Sequence, residues 1–179
     1  MKYIKLFENF EPYDPYELMI TPPNKKAEMI ISEIMKKDKA NLNLVSDLIV
    51  LGANLDWHDN DGWTALYVSA YWNLPEITKM LIDAGADVNM QDIFGQTVLH
   101  KCARWNSPEI ARMLLDAGAD VNIQEEYGMT ALYVSAGNNH PKIARVLFDA
   151  GADKTIPNND GELPYELTTS QELKKLLKL

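Results

Sequence analysis

The sequence is poor in the residues from which most catalytic and metal sites are built. Its 179 residues include one cysteine, Cys102, and three histidines, His58, His100 and His140. A single cysteine excludes an internal disulfide framework and fits a reducing compartment. A zinc site needs ligands at close, paired spacings, whereas these histidines are about forty residues apart. We therefore expect no catalytic site, no metal and no cofactor.

Long apolar runs and excess basic charge are also missing. No segment approaches the roughly 18 apolar residues of a transmembrane helix, and Lys2 and Lys5 precede no apolar signal-peptide stretch. The net charge is −9, and because acids and bases balance in 1–40 and 161–179, all of it lies in 41–160. These features predict a cytoplasmic protein that binds neither membrane nor nucleic acid and favours a basic or neutral partner.

What the chain does have is a fixed internal period. The seven residues 83–89 recur identically at 116–122, with weaker copies at 51–56 and 149–155. Two series of glycines keep an interval of 33 residues: Gly52, Gly85, Gly118 and Gly151, and Gly62, Gly95, Gly128 and Gly161. A constant period of this length is typical of stacked repeats, which bury their apolar residues against one another.

Local signals within the period predict two helices per repeat. Thr64 can cap the first helix, Asn73 suits the left-handed position that ends it, and Pro75 suits the first position of the second helix. The same three residue types recur 33 and 66 residues later. Agreement between local signals and the period favours a single fold.

The segments 59–67, 92–100 and 125–133 resemble the D-x-x-G-x-T-P-L-H opening of the ankyrin repeat family, and each is followed by its G-A-D-V-N closing, which is present in the weaker form G-A-D-K-T after the third. The resemblance covers roughly residues 25–179. It implies an all-α solenoid of 33-residue units, each a helix, a loop, a second helix and a β-hairpin, between two capping repeats.

Two departures from the family pattern stand out. Its proline, which starts the first helix, is replaced by Ala65, Val98 and Ala131. Its histidine, which tethers adjacent loops, survives only as His100. Both losses predict weaker local rigidity without a change of fold.

The period also predicts the divisions of the chain. They are an N-terminal arm (1–24), an N-terminal capping repeat (25–58), three inner repeats (59–91, 92–124 and 125–157) and a C-terminal capping repeat (158–179). The arm has three interpretations: it folds over the first repeat, it is a docking or targeting peptide, or it is disordered. In the first capping repeat, Asp47 stands where inner repeats have apolar residues, which predicts a face left open to solvent.

The resemblance also implies a binding surface, because partners of ankyrin repeats contact the hairpin tips and the exposed edge of the first helix. Mapped onto this sequence, the candidate protein-binding residues are Asp61, Trp63, Tyr71, Trp72, Phe94, Arg104, Trp105, Glu126, Tyr127 and Met129. Tryptophan, tyrosine and arginine dominate binding hot spots. The alternative is that the aromatic side chains, Phe94 above all, fill gaps between hairpins.

Trp72 and Trp105 are the predicted centre of this surface. They occupy the same position one repeat apart, so stacking predicts a separation of about 8–10 Å, the spacing of packed helices. The sequence thus favours a monomeric, non-enzymatic module that presents an aromatic, acid-rimmed concave surface to a protein with basic or apolar anchor residues. The alternative is a structural or assembly role, in which the chain self-associates or docks into a larger particle, through the arm for example.

Overall fold

The computed structural model describes residues 15–178, and the first part of the predicted arm lies outside this range. In the described part, consecutive helices pair into antiparallel units that stack side by side. The helices before the inner repeats are α1 (Pro15–Ile20), α2 (Pro23–Ile34) and α3 (Leu42–Val50), with a 3₁₀ turn (Lys37–Lys39) between the last two. The inner repeats contribute α4 (Ala65–Tyr71), α5 (Pro75–Asp83), α6 (Val98–Trp105), α7 (Pro108–Asp116), α8 (Ala131–Gly137) and α9 (Pro141–Asp149), and the last two helices are α10 (Pro164–Leu167) and α11 (Gln171–Leu177).

The helix ends form as their residues predict. The Thr64 hydroxyl accepts a hydrogen bond from the Tyr67 amide at 3.1 Å and so caps α4. Asn73, Asn106 and Asn139 all adopt left-handed conformations after the first helices, where asparagine is tolerated because its short side chain bonds locally. A proline then opens each second helix.

The core runs along the stack instead of gathering at one centre. Each inner repeat buries leucines, isoleucines and alanines from both of its helices, including Leu66, Leu99 and Leu132 at equivalent positions of α4, α6 and α8. Each repeat therefore depends on its neighbours for its apolar contacts, as in other solenoids.

The hairpins are tight turns joined to one another through the backbone. Each turn is closed by a bond such as Asp92 N–H to Gln96 C=O at 3.0 Å, and the described part has a single isolated bridge, between His58 and Thr64. The Ile93 amide donates to the Asp61 carbonyl at 3.2 Å, and the Glu126 amide donates to the Phe94 carbonyl at 3.0 Å. These bonds hold successive hairpins in register.

The first repeat differs from the sequence-based expectation. Leu18 of α1 is buried in the core, and the Lys26 ammonium donates to the Leu51 carbonyl at 2.8 Å. Asp47 is only 9% exposed, and burial raises the pKa of its carboxyl. The expectation of an open face at Asp47 is therefore wrong, because the Asp47 side chain is largely withdrawn from solvent.

Tyrosine supplies the tether where the family histidine is missing. The Tyr67 hydroxyl donates to the Asp92 carboxylate in the next hairpin at 3.0 Å, and the Tyr133 hydroxyl donates to Glu162 at 3.0 Å. His100, at the equivalent position, bonds the Met129 carbonyl through Nε2 at 2.9 Å. The expected loss of the tether in the first and third inner repeats is therefore wrong.

The histidine tether predicts a pH dependence of stability. Burial lowers the pKa of His100 below its usual range, and Nδ1 accepts from the Thr97 amide, which requires the neutral ring. The unfolded chain takes up this proton first, so stability should fall as pH drops below about 6.5. The slope should reach at most about 1.4 kcal/mol per pH unit for one proton.

Urea unfolding at pH 7.5 and 5.5 measures this effect, with His100→Tyr as the comparison. That variant copies the two neighbouring tethers, and its hydroxyl can reach toward Glu125 Oε2, a buried oxygen without a hydrogen-bond partner in the described part. The variant should lose stability between the two pH values by less than the wild type. Equal losses would contradict the assignment to His100.

Candidate protein-binding surface

Four of the candidate residues come together in one aromatic cluster. The ring centroids of Trp63 and Tyr71 are 5.6 Å apart, those of Tyr71 and Trp72 4.9 Å, and those of Tyr71 and Trp105 6.3 Å. The last two pairs meet edge to face, an arrangement that aromatic rings favour. We call these four residues the aromatic surface.

The cluster arises from positions that the repeat brings together. Trp63 follows the first inner hairpin, and Tyr71 and Trp72 end α4, whereas Trp105 ends the adjacent helix α6. The ring of Tyr67, one turn before Tyr71, also packs against Trp63, with 5.1 Å between the two ring centroids. Adjacent first helices thus place rings from two repeats within contact.

Trp72 and Trp105 have different surroundings despite their equivalent positions. Trp105 is 57% exposed. Trp72 is half-buried: its indole N–H points at the Met35 sulfur at 3.3 Å, and the Lys37 ammonium lies 3.6 Å from its ring centroid. Met35 and Lys37 of the preceding repeat supply these contacts, and Lys37 adopts a left-handed conformation. At Trp105 the aromatic neighbour from the preceding repeat is Tyr71. The structure therefore places Tyr71 in contact with both indoles, a role that the predicted pair of tryptophans did not include.

The remaining apolar candidates lie at and behind the hairpin tips. Phe94 is 49% exposed and Tyr127 is 60% exposed, with Ile93 exposed beside them. Met129 is half-buried against the core. Phe94 and Tyr127 occupy equivalent tips joined through the backbone, so they form a second exposed apolar patch.

Acidic side chains at the hairpins divide into two kinds. Asp59, Asp92 and Glu125 accept hydrogen bonds from backbone amides of their own turns, for example Asp92 Oδ1 from Gln96 N at 2.9 Å. They are turn-forming residues. Asp61 and Glu126 instead lie exposed at the tips, and the Glu126 carboxylate raises the pKa of the Tyr127 hydroxyl by accepting a hydrogen bond from it.

Basic residues lie on the helix side of the aromatic surface. Lys101 occupies the position of Val68 and Val134, and its ammonium lies 5.0 Å from the Tyr67 ring centroid and 3.5 Å from Asp92 Oδ2. Burial and the nearby Arg104 guanidinium lower the pKa of Lys101 to about 8. Neither Lys101 nor Lys37 was among the candidate residues. For Lys101 the sequence did carry a signal, because the other two inner repeats have valine at this position.

The residues with potential for other chemistry stand apart from the surface. Cys102 is buried, and burial raises the pKa of its thiol to about 12, which leaves it inert at neutral pH. No group of acids, histidines or cysteines in the described part is arranged to hold a metal ion. Within the same residues, no helix is long and apolar enough to cross a membrane.

Comparison with known families agrees with the geometry. The model for ankyrin repeats matches residues 33–125 and 90–158, with three copies of the repeat. The chain belongs to the ankyrin repeat family. Its fold is an all-α solenoid of such repeats, and members of the family generally act as protein–protein interaction modules. Among curated proteins, none matches the chain significantly.

Proposed function

We propose that this ankyrin repeat protein is a non-enzymatic module whose aromatic surface binds a segment of another protein. The observation that carries the proposal is the 57% exposure of Trp105 beside Tyr71. A partner that covers this indole removes a large apolar area from water, which favours association.

The rest of the surface supports tight binding through its rigidity. Tyr71 has ring contacts with Trp63, Trp72 and Trp105, so few rotamers remain to be fixed when a partner binds. The backbone bonds between hairpins hold the tips in place. Both features lower the entropic cost of association.

The partner segment should present an apolar anchor side chain to Trp105 and basic side chains to the hairpin tips. Asp61 and Glu126 lie exposed there and would attract basic groups, with effects mainly on association rate and salt dependence. The acidic inner repeats disfavour nucleic acid and anionic membranes as ligands, and the module works as a monomer.

Trp105→Ala tests this function most directly. A library of displayed random dodecapeptides, panned against the full chain, supplies binding peptides whose affinity is then measured by titration. Because hot-spot tryptophans contribute roughly 2 kcal/mol or more, Trp105→Ala should weaken binding about thirtyfold. Its melting temperature should change little, since the indole is mostly exposed.

Trp57→Ala is the matched control, because Trp57 is the one tryptophan outside the candidate set. It should leave peptide affinity unchanged. Trp72→Ala should lower both affinity and stability, since this indole also contacts Met35 and Lys37. If no peptide is enriched, or if Trp105→Ala binds the peptides as tightly as the wild type, the proposed site is wrong.

Self-association is the second candidate function, and the exposed tip patch of Ile93, Phe94 and Tyr127 favours it. A mass that rises with protein concentration in light scattering would support assembly of copies of the chain. Loss of that rise in Phe94→Ser would place the contact at the tips. A constant monomer mass would leave binding to another protein as the function.

A further inference from the structure

The Arg104 guanidinium is an exposed cation that has no ion pair or hydrogen bond to any residue in the described part of the chain. Lys101 on the same helix, by contrast, is held by Asp92 and Gln96. Arg104 and Trp105 are consecutive exposed residues at the end of α6, and arginine and tryptophan are two residue types that dominate hot spots.

The repeat leaves open space beside this arginine. The position equivalent to Arg104 is Tyr71 in the preceding repeat and Gly137 in the following one. Gly137 is exposed, and a Cβ at this residue would meet only Leu167 Cδ1, at 3.6 Å. One neighbour of Arg104 is thus an aromatic ring and the other has no side chain at all.

The exposed charges around the aromatic surface differ between helical segments and hairpin tips. Lys37 and Arg104 lie in helical segments, whereas Asp61 and Glu126 lie exposed at the hairpin tips; Lys101 reaches from α6 to the hairpin residue Asp92. Arg104 is the one of these three cations that has neither an ion pair nor an aromatic face within the described residues. A ligand with a single negative charge matches the one guanidinium that is left without such a contact in the described part.

Building on the proposed function, we infer that Arg104 binds an aspartate or glutamate side chain of the partner segment, next to the apolar residue that covers Trp105. The guanidinium can hold a carboxylate through two parallel N–H bonds. The partner segment therefore carries opposite charges at its two ends: its acidic residue lies toward Arg104 and its basic residues lie toward the hairpin tips. This charge order fixes the direction in which the segment binds.

Peptides selected on the full chain from the same displayed library test the inference. The library fuses each peptide at its carboxyl end, so only side-chain carboxylates are available. The enriched sequences should share an acidic residue adjacent to an apolar one. Replacing that residue with its amide should weaken binding to the wild-type protein about tenfold, the effect typical of a hydrogen bond to a charged group.

A double-mutant cycle assigns this loss to Arg104. Arg104→Gln should bind the acidic and amide peptides equally, and Arg104→Lys should recover only part of the preference because lysine cannot form the paired bonds. Arg112→Gln removes an exposed arginine from the second helix of the same repeat and should keep the full preference.

The outcomes separate this inference from the proposed function. Peptides that need Trp105 but lack a shared acidic residue, or an unchanged preference in Arg104→Gln, would overturn the role of Arg104 and leave the aromatic site standing. Peptides indifferent to Trp105, or no enrichment at all, would reject both. Binding only by synthetic peptides with a free terminal carboxylate would also overturn the inference.

Discussion

Deletion of residues 161–179 should leave a protein that aggregates or unfolds at a far lower temperature. Leu173 and Leu177 of α11 are fully buried, and α11 packs against α9, so the deletion exposes the apolar side of the third inner repeat. Stability in a solenoid is roughly the sum of repeat and interface terms. Loss of a terminal interface therefore removes stability and leaves an open apolar end.

Polar bonds at the same junction add to the loss. The Asn139 side-chain oxygen accepts from the Thr168 hydroxyl at 2.8 Å, the Thr169 amide at 2.9 Å and the Ser170 amide at 3.0 Å. Without residues 161–179 this oxygen is left to solvent, and the left-handed turn at Asn139 loses the segment it anchors.

Leu173→Ala gives a milder form of the same experiment. Truncation of a fully buried leucine costs about 2–5 kcal/mol, and urea unfolding measures it. Leu176→Ala is the matched control, because Leu176 is only half-buried and should cost clearly less. A truncated chain with unchanged melting temperature and solubility, or equal costs for both leucines, would contradict the stacking of α11 on the third inner repeat.

The helices of the inner repeats could be predicted because their ends depend on local chemistry. Thr64, Asn73 and Pro75 act through the backbone of their own turns, so their types alone indicate where helices begin and end. The structure places all three as the sequence indicates.

Contacts between repeats were less predictable, since they depend on where long side chains reach. The replacement of the family histidine by Tyr67 suggested a lost tether, but a hydroxyl on a longer side chain reaches Asp92 25 residues away. The burial of Asp47 was not predicted either, because its charge indicated an open face. Long-range bonds of this kind follow from geometry that the period does not encode.

In the candidate surface, too, the positions of residues could be predicted from the repeat, whereas their contacts with neighbouring repeats could not. The repeat period indicated which residues share a surface, and Trp63, Tyr71, Trp72 and Trp105 do come together. It could not distinguish Trp72 from Trp105, because the contacts that half-bury Trp72 come from Met35 and Lys37, which precede Gly52, the first glycine of the 33-residue series. Their role in binding remains a prediction.

Gly62→Ala should be among the most damaging single substitutions in the chain, because it forces the first two inner hairpins apart. Gly62 has φ +80°, and a Cβ there would lie 2.8 Å from the Asp92 Cα and 3.0 Å from the Ile93 amide nitrogen. Both atoms belong to backbone, which cannot rotate away as a side chain would. The bond from the Ile93 amide to the Asp61 carbonyl would have to lengthen or break.

Gly85→Ala separates this clash from the cost of the left-handed backbone. Gly85 lies in the same repeat with φ +89°, but a Cβ there would meet nothing within 4 Å. Its substitution should cost about 1–2 kcal/mol, the penalty of a left-handed conformation for a residue with a Cβ. Gly62→Ala should cost that amount plus the clash and the lost hydrogen bond, about 3 kcal/mol or more in total.

Urea unfolding gives the two free energies, and amide hydrogen exchange locates the damage. The Ile93 amide should lose protection in Gly62→Ala and keep it in Gly85→Ala. Since Trp63 follows Gly62 directly, Gly62→Ala should also weaken the selected peptides, while Gly85→Ala should not. Equal destabilisation by both alanines would show that backbone conformation alone sets the cost. Unchanged peptide affinity in Gly62→Ala would show that the close contact between the hairpins does not hold Trp63 in the aromatic surface.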